Sequence, residues 1–152
     1  MKVRQKVTTF LWFDSQAEDA AQHYVSIFPD SQIVSRTPSP DGGVMLVEFV
    51  LAGTRFLALN GGPHYQLSPA VSLSVECDDQ AELDRYWNQL AEGGSDFKCG
   101  WLKDRFGLSW QIIPSILPTL LATPGKAPAV MQTLLQMEKL EIQPLLDAAA
   151  TD

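Results

Sequence analysis

The pentapeptides Asp14 to Glu18 (DSQAE) and Asp78 to Glu82 (DDQAE) decide the predicted fold, because they are two copies of one pattern. Four of the five positions are identical, and the step from residue 14 to residue 78 gives an offset of 64 along the chain. Each copy follows a short run of β-forming residues and begins a segment with helical periodicity. Such self-similarity indicates a duplicated supersecondary unit. The sequence therefore predicts two similar modules.

Each pentapeptide also has the spacing of a helix start. Ser15 is the expected N-cap of the first helix and Glu18 follows three residues later, which is the capping-box spacing that satisfies free backbone donors. Asp79 and Glu82 stand in the same relation in the second copy. The expected helices run from Ser15 to about Phe28, with Ala17, Ala21, Tyr24, Val25 and Phe28 buried, and from Asp79 to about Glu92, with Leu83, Tyr86, Trp87 and Leu90 buried.

Strands are expected before and after each helix. Alternation of apolar and polar residues and strong turn signals delimit them. A third strand after the second helix is not evident from the sequence. The expected strands are Val7 to Phe13, Ile33 to Arg36, Val44 to Ala52 and Arg55 to Asn60 in the first copy, and Val71 to Cys77, Phe97 to Leu102 and Leu108 to Ile113 in the second.

The whole chain is expected to be one domain. Module one covers about residues 7–62, module two about 70–114, and the connection from Pro63 to Pro69 is too short to separate two domains. The tail of about residues 115–152 contains several prolines, and a short amphipathic helix is expected to begin at Pro128. Its apolar face must dock either on its own sheet or across a partner subunit, and the sequence leaves both open.

Composition excludes several classes of protein. A net charge of −7 with only 11 scattered basic residues argues against nucleic-acid binding, which requires clustered cations. No segment approaches the ~20 apolar residues of a membrane span, so no membrane partner is expected. Two cysteines, Cys77 and Cys99, do not make a disulfide framework and are expected to be reduced thiols. The expected location is the cytoplasm.

Three segments resemble the PhnB-like branch of the vicinal oxygen chelate superfamily, which includes glyoxalases, bleomycin-resistance proteins and extradiol dioxygenases. They are Leu11 to Asp14 (LWFD) with Ala17-Glu18, Phe56 to Pro63 (FLALNGGP), and the long and distinctive run Cys99 to Gln111 (CGWLKDRFGLSWQ). The resemblance extends from about residue 7 to residue 146. It implies an α+β fold in which two βαβββ modules form an open half-barrel cleft, commonly within a homodimer; a C-terminal helical tail completes the expected fold.

The resemblance also implies where a metal would bind. Enzymes of the superfamily hold a divalent cation with His, Glu or Gln side chains from the first and last strands of each module. The matching positions in this sequence are near Thr8 and Ser72 in the first strands, and Leu57 and Gln111 in the last strands, if Gly53 is aligned with Gly107. Only Gln111 is a usual ligand, so no cofactor is predicted and a divalent metal is disfavoured.

Seven residues are candidates for contact with a ligand. Phe10 and Trp12 share the strand parity of Thr8 and would form an aromatic floor or part of the core. Glu48 interrupts an apolar strand, so its carboxylate faces either solvent or a polar cleft. The polar side of the strand after residue 70 is either solvated or lines a cavity. The candidates are Thr8, Phe10, Trp12, Glu48, Ser72, Ser74 and Gln111.

The leading hypothesis is a homodimeric protein that binds a small organic molecule without the usual metal. The alternatives are a metal-dependent lyase, isomerase or dioxygenase of the same superfamily, and a scaffold with a filled cleft. Many PhnB-like proteins carry the label 3-demethylubiquinone-9 3-methyltransferase. No glycine-rich turn after a first strand, as in nucleotide-type cofactor folds, occurs in the sequence, so that activity is not expected. The sequence leaves open whether any reaction is catalysed.

Overall fold

The computed structural model describes residues 4–150 of the chain. The chain divides into two compact units, Met1–Leu67 and Ser68–Asp152, whose boundary falls in the connection between the two predicted modules. Among the described residues, no helix is both long and apolar enough to cross a membrane.

The first unit is one complete βαβββ module. Strand β1 runs parallel to β4, whereas β4, β3 and β2 pair antiparallel, and the sheet order is β1-β4-β3-β2. Helix α1 packs on one face of this sheet. The elements are β1 (Thr9–Phe13), α1 (Ala17–Ile27), β2 (Gln32–Pro38), β3 (Val44–Leu51) and β4 (Thr54–Asn60).

The second unit repeats this topology and then adds helices. Its sheet has the order β5-β8-β7-β6, again with a parallel first pair and antiparallel neighbours, so the predicted duplication is confirmed. The elements are β5 (Ser72–Cys77), α2 (Gln80–Ala91), β6 (Ser95–Lys98), β7 (Trp101–Lys103), β8 (Ser109–Pro114), α3 (Leu117–Ala122), α4 (Ala127–Leu134) and α5 (Ile142–Ala150).

The core of each unit lies between its helix and one face of its sheet. In the first unit, Tyr24 of α1 lies against Phe49, which stacks on Phe56 with ring centroids 5.5 Å apart. In the second unit, the predicted stripe of Leu83, Tyr86, Trp87 and Leu90 is buried as expected. Full burial of such side chains contributes about 1.5–3 kcal/mol each. The α1 stripe is rotated from the prediction, because Ala20 and Ile27 are buried while Val25 and Phe28 are only half-buried.

The two helix starts differ, so one predicted cap is confirmed and the other is wrong. Asp79 caps α2, its side chain accepting from Glu82 N at 2.8 Å, and Glu82 Oε1 accepts from Asp78 N at 3.0 Å. Helix α1 has Gln16 at its N-cap without a side-chain cap. There Asn60 Oδ1, at the end of β4, accepts from Ala17 N at 2.8 Å. Asn60, which is distant in sequence, therefore caps α1 in place of Ser15.

The segment from Phe97 to Leu102 was expected to be one strand and is instead a hairpin. Lys98 pairs with Trp101, which leaves Cys99 and Gly100 as a two-residue loop. Both have positive φ, 54° at Cys99 and 85° at Gly100, as favoured hairpin turns require. The turn divides the segment into β6 and β7 and supplies the third strand that the sequence did not show. A cysteine in a left-handed conformation is uncommon, which explains why the turn was missed.

The tail docks on its own unit. Cys99 N and Gly100 N, in the β6–β7 turn, donate to the carbonyls of Met137 and Glu138, each at 2.8 Å. Leu140 is fully buried; Gln80 Nε2 donates to Leu140 O at 3.1 Å, and Gln80 Oε1 accepts from Ile142 N at 2.8 Å. The helix expected from Pro128 is α4, with this proline in its first turn. Helices α3 and α5 were not predicted.

Candidate functional site

The first unit presents four of the predicted candidates on or beside one face of its sheet. Leu11 and Phe13 of β1 are buried on the side of α1, so Phe10 and Trp12 point away from it. Phe10 is 53% exposed. Glu48 lies on the same face, since its neighbours Val47 and Phe49 are fully buried toward the helix.

Arg55, which was not among the candidates, connects two of them. Its Nε donates to Glu48 Oε1 as an ion pair, and its Nη1 donates to Thr8 Oγ1 at 3.0 Å. The Glu48 carboxylate was expected to face either solvent or a polar cleft. It is paired with the Arg55 guanidinium. The signal was present in the sequence: residues 48 and 55 flank a tight turn with the spacing that makes them diagonal neighbours on one sheet face.

Trp12 is held in place by the segment that follows β4. Its Nε1 donates to Gly62 O at 2.9 Å, and its ring meets Tyr65 edge-on at 5.0 Å. The indole passes so close to Gly61 that a β-carbon there would lie 2.3 Å from it. Gly61 of the FLALNGGP segment is thus required for the approach of Trp12, and this tryptophan is half-buried beside the exposed Phe10.

The second unit places its three candidates together on one sheet face. Gln111 pairs with Ser74, and the Gln111 side-chain Nε2 donates to Ser72 Oγ at 3.0 Å. The neighbouring residues Trp110 and Ile112 are buried on the side of α2, so Gln111 points away from it. The parallel register pairs Phe10 with Leu57 in the first unit and Ser74 with Gln111 in the second. This equivalence confirms the alignment of Leu57 with Gln111.

A cavity of about 530 Å³ lies beside Gln111 in the second unit. On the sheet its wall includes Trp101, Gln111 and Ile113, and the β6–β7 hairpin adds Lys98 and Cys99. The remaining wall comes from the tail. Sequence reasoning placed Gln111 correctly on an open face but missed Trp101, because it had assigned this residue to the middle of a single strand.

The two free cysteines occupy different environments. Cys77, at the end of β5, is buried, and desolvation with help from the nearby carboxylates of Glu82 and Asp78 raises the pKa of its thiol from 9.0 to about 12. Such a thiol is a poor nucleophile at neutral pH. Cys99 is partly exposed and borders the cavity.

The positions at which the resemblance implies metal ligands carry few donor atoms. Thr8 and Ser72 offer hydroxyls, Leu57 offers none, and Gln111 offers a single amide that bonds to Ser72. The nearest carboxylate on the first unit's face, Glu48, is paired with Arg55. Within residues 4–150, no three or more His, Cys, Asp or Glu side chains are grouped so that they could hold a metal ion.

A family model described as 3-demethylubiquinone-9 3-methyltransferase matches residues 5–113 of the chain. The matched segment contains both βαβββ modules. The chain belongs to this family. A PhnB protein from Bacillus cereus bearing the same methyltransferase description is 33% identical, with 72% of this chain and 98% of that chain covered and a TM-score of 0.66. No curated protein matches significantly.

More distant solved structures share the fold of this chain. The protein PA1353 from Pseudomonas aeruginosa is 23% identical, with 73% of this chain and 97% of that chain covered and a TM-score of 0.59. The fosfomycin resistance protein FosX from Listeria monocytogenes is 10% identical, with 75% and 94% covered and a TM-score of 0.53. That structure is a complex with Mn(II) and 1S,2S-dihydroxypropylphosphonic acid. The fold is therefore the α+β vicinal oxygen chelate fold. The match to the family model ends at residue 113, where the tail begins.

Proposed function

We propose that this family member binds a small organic molecule in the second unit's cavity, with Gln111 as its principal polar contact. The cavity volume of about 530 Å³ carries the proposal. Pockets for small ligands typically have volumes of about 300–1,000 Å³ and combine apolar walls with a few placed polar groups. Gln111 supplies such a group, and its bond to Ser72 fixes the orientation of the amide.

The proposed site works without the metal that is usual in the superfamily. Within the second unit, the Gln111 amide and the Ser72 hydroxyl are too few ligands, because divalent cations of this kind take several oxygen or imidazole donors that converge from different strands. The Gln111 Nε2 already donates to Ser72 Oγ, which leaves the amide oxygen as the group that a ligand can use. The protein's own contribution would be recognition by shape and by the Gln111 amide.

Metal analysis and ligand screening together test the proposal. Inductively coupled plasma mass spectrometry of untagged protein should find far less than one divalent ion per chain. A metabolite library should contain compounds that raise the unfolding temperature, since a ligand at ~100 times its dissociation constant adds about 2.7 kcal/mol. The absence of any stabilising compound across chemically diverse libraries would contradict the proposal.

A metal-dependent lyase, isomerase or dioxygenase is the second candidate. The Listeria FosX structure, which has the same fold and contains Mn(II), favours it. On this alternative, about one tightly held ion per subunit would be found, and its removal with a chelator would lower the unfolding temperature. That result would replace the first proposal.

The methyltransferase activity in the family's description is not part of the proposal. An enzyme that uses S-adenosylmethionine would be expected to have a parallel sheet with a glycine-rich turn after its first strand. In each described unit only the first pair of strands is parallel, and the turn after β1 reads Asp14-Ser15-Gln16. Titration calorimetry with S-adenosylmethionine should show no binding.

The proposal also includes a homodimer in the cytoplasm. Both cysteines are free thiols, as expected of a reducing compartment. Light scattering coupled to gel filtration should give twice the chain mass of 16.8 kDa. A monomer at micromolar concentration would contradict this part of the proposal and leave the ligand site untouched.

A further inference from the structure

The tail supplies the apolar wall of the cavity opposite the sheet. Helices α3 and α4 contribute only hydrocarbon and thioether side chains to the lining: Leu117, Leu121, Met131, Leu134 and Leu135. These residues lie beyond the segment matched by the family model, which ends at residue 113. The chemistry of this wall therefore belongs to the tail and not to the duplicated modules.

Both ends of this wall are fixed to the second unit. At its start, Ser115 N donates to Cys77 O at 2.8 Å, which attaches the chain before α3 to the end of β5. At its far end, the bonds from the β6–β7 turn to Met137 and Glu138 hold the chain after α4. Leu117 and Leu134 are buried, whereas Met131 and Leu135 are 41% and 53% exposed. The wall is held in place but keeps exposed apolar side chains at the cavity.

The sheet side of the cavity has one row of side chains across three strands. Gln111, Trp101 and Lys98 follow one another in register, so neighbouring residues are about 4.8 Å apart. A flat ring over the Trp101 indole would be within reach of the Gln111 amide. The charged lining residues, Lys98 and Asp96, are both exposed and of opposite sign, so they select neither a cationic nor an anionic ligand.

We propose that the occupant is a neutral, largely apolar molecule that contains a ring and is enclosed between Trp101 and the tail helices, with one hydrogen-bonding group at Gln111. This inference rests on the proposed function and adds the ligand class and the tail as a specificity-determining wall. Its physical basis is the transfer of an apolar ring from water to a surface formed almost wholly of carbon, which is favourable at about 25 cal/mol per Å².

N-phenyl-1-naphthylamine, a neutral aromatic amine whose fluorescence rises in apolar surroundings, is a direct probe. Titration of the full chain should give saturable enhancement with one site per chain. Met131→Glu and Leu135→Glu should each weaken binding at least tenfold by placing a carboxylate in the wall. Leu146→Glu is the matched control, because Leu146 is an exposed leucine of α5 outside the lining, and it should leave affinity unchanged. Circular dichroism should show all three variants folded.

Three outcomes would overturn the inference. They are no saturable binding of the probe, binding that Met131→Glu and Leu135→Glu do not alter, and loss of the dimer in these variants with probe affinity retained, which would assign the exposed patch to contact between copies. If library compounds stabilise the protein equally in the wild type and the tail variants, the inference fails while the proposed function stands. If Gln111→Ala leaves every ligand's affinity unchanged, the proposed site fails instead.

Discussion

The two sheet faces that point away from α1 and α2 have the same backbone topology but carry different side chains. In the first unit the row through Phe10, Leu57 and Glu48 ends in an ion pair with Arg55, so its charges are satisfied internally. In the second unit the corresponding row contains Ser74, Gln111 and Trp101 and borders a cavity. Duplication thus fixes the positions of the side chains, and divergence after it gave the two faces different residues at these positions.

The hairpins before the last strands show the same contrast. In the first unit, β3 and β4 are joined by Ala52 and Gly53, both with positive φ, as a two-residue turn. In the second, a longer loop begins at Asp104, which is 3% exposed. Its carboxylate accepts from Phe106 N, Leu108 N and Trp110 Nε1 at 2.9, 3.0 and 2.8 Å. One turn is held by backbone conformation and the other by a side chain.

Replacement of that side chain should have the largest effect. Asp104→Ala should lower the free energy of unfolding by about 3 kcal/mol, because buried donors lose a charged acceptor. Asp104→Asn keeps an acceptor oxygen and should cost less than half as much. Urea denaturation measures both. Equal losses for the two variants would show that the charge, and not the hydrogen-bond geometry, holds the loop.

The helix caps provide the next test. Asn60→Ala should cost about 2 kcal/mol, because it removes a cap on α1 and a bond to Val44 O at 2.8 Å. Asp79→Ala should cost about 1 kcal/mol by removing the α2 cap. Ser15→Ala should stay within about 0.5 kcal/mol of the wild type, because Ser15 does not cap α1. A large effect at Ser15 would restore the cap predicted from the sequence.

The site itself is compared by substituting one candidate in each unit. Gln111→Ala should weaken any ligand about tenfold, equivalent to about 1.4 kcal/mol, by removing a hydrogen bond in the cavity. Trp12→Ala should leave this affinity unchanged, because Trp12 contacts Gly62 and Tyr65 in the first unit and does not line the cavity. Calorimetric titration measures these effects. Unchanged affinity in folded Gln111→Ala, or weakened affinity in folded Trp12→Ala, would contradict the assignment of the ligand to the second unit's cavity.

The smallest effect is expected where the tail meets α2. Lys139 Nζ lies 2.7 Å from Asp84 Oδ1, and this bond holds the pKa of Asp84 below its ordinary 3.8. Asp84→Asn should cost about 0.5 kcal/mol at pH 7, as is usual for a pair this exposed. Because the folded pKa is lowered, the stabilisation is present above pH 3.8 and is lost as the pH falls below it. The free energy of unfolding should be measured against pH for the wild type and for Asp84→Asn. The wild type should be the more stable above pH 3.8, and the difference should disappear as the pH falls below it.

The sequence by itself determined the duplication, the strands of module one and the burial of α2. It did so because these features depend on local spacing: a repeat at offset 64, alternation in strands, and a cap three residues before its partner. It also predicted that Gln111 of the second copy occupies the position equivalent to Leu57 of the first copy. These properties can be recognised within a few neighbouring residues.

Only the tertiary structure decided the rest. Asn60 caps α1 from the end of β4, and the tail attaches to the turn at Cys99. Each of these interactions joins residues from separate segments, or requires a backbone conformation unusual for its residue type. The apolar wall of the cavity is of the same kind, because the helix that contains Met131 lines the same cavity as the sheet only after the chain has folded back.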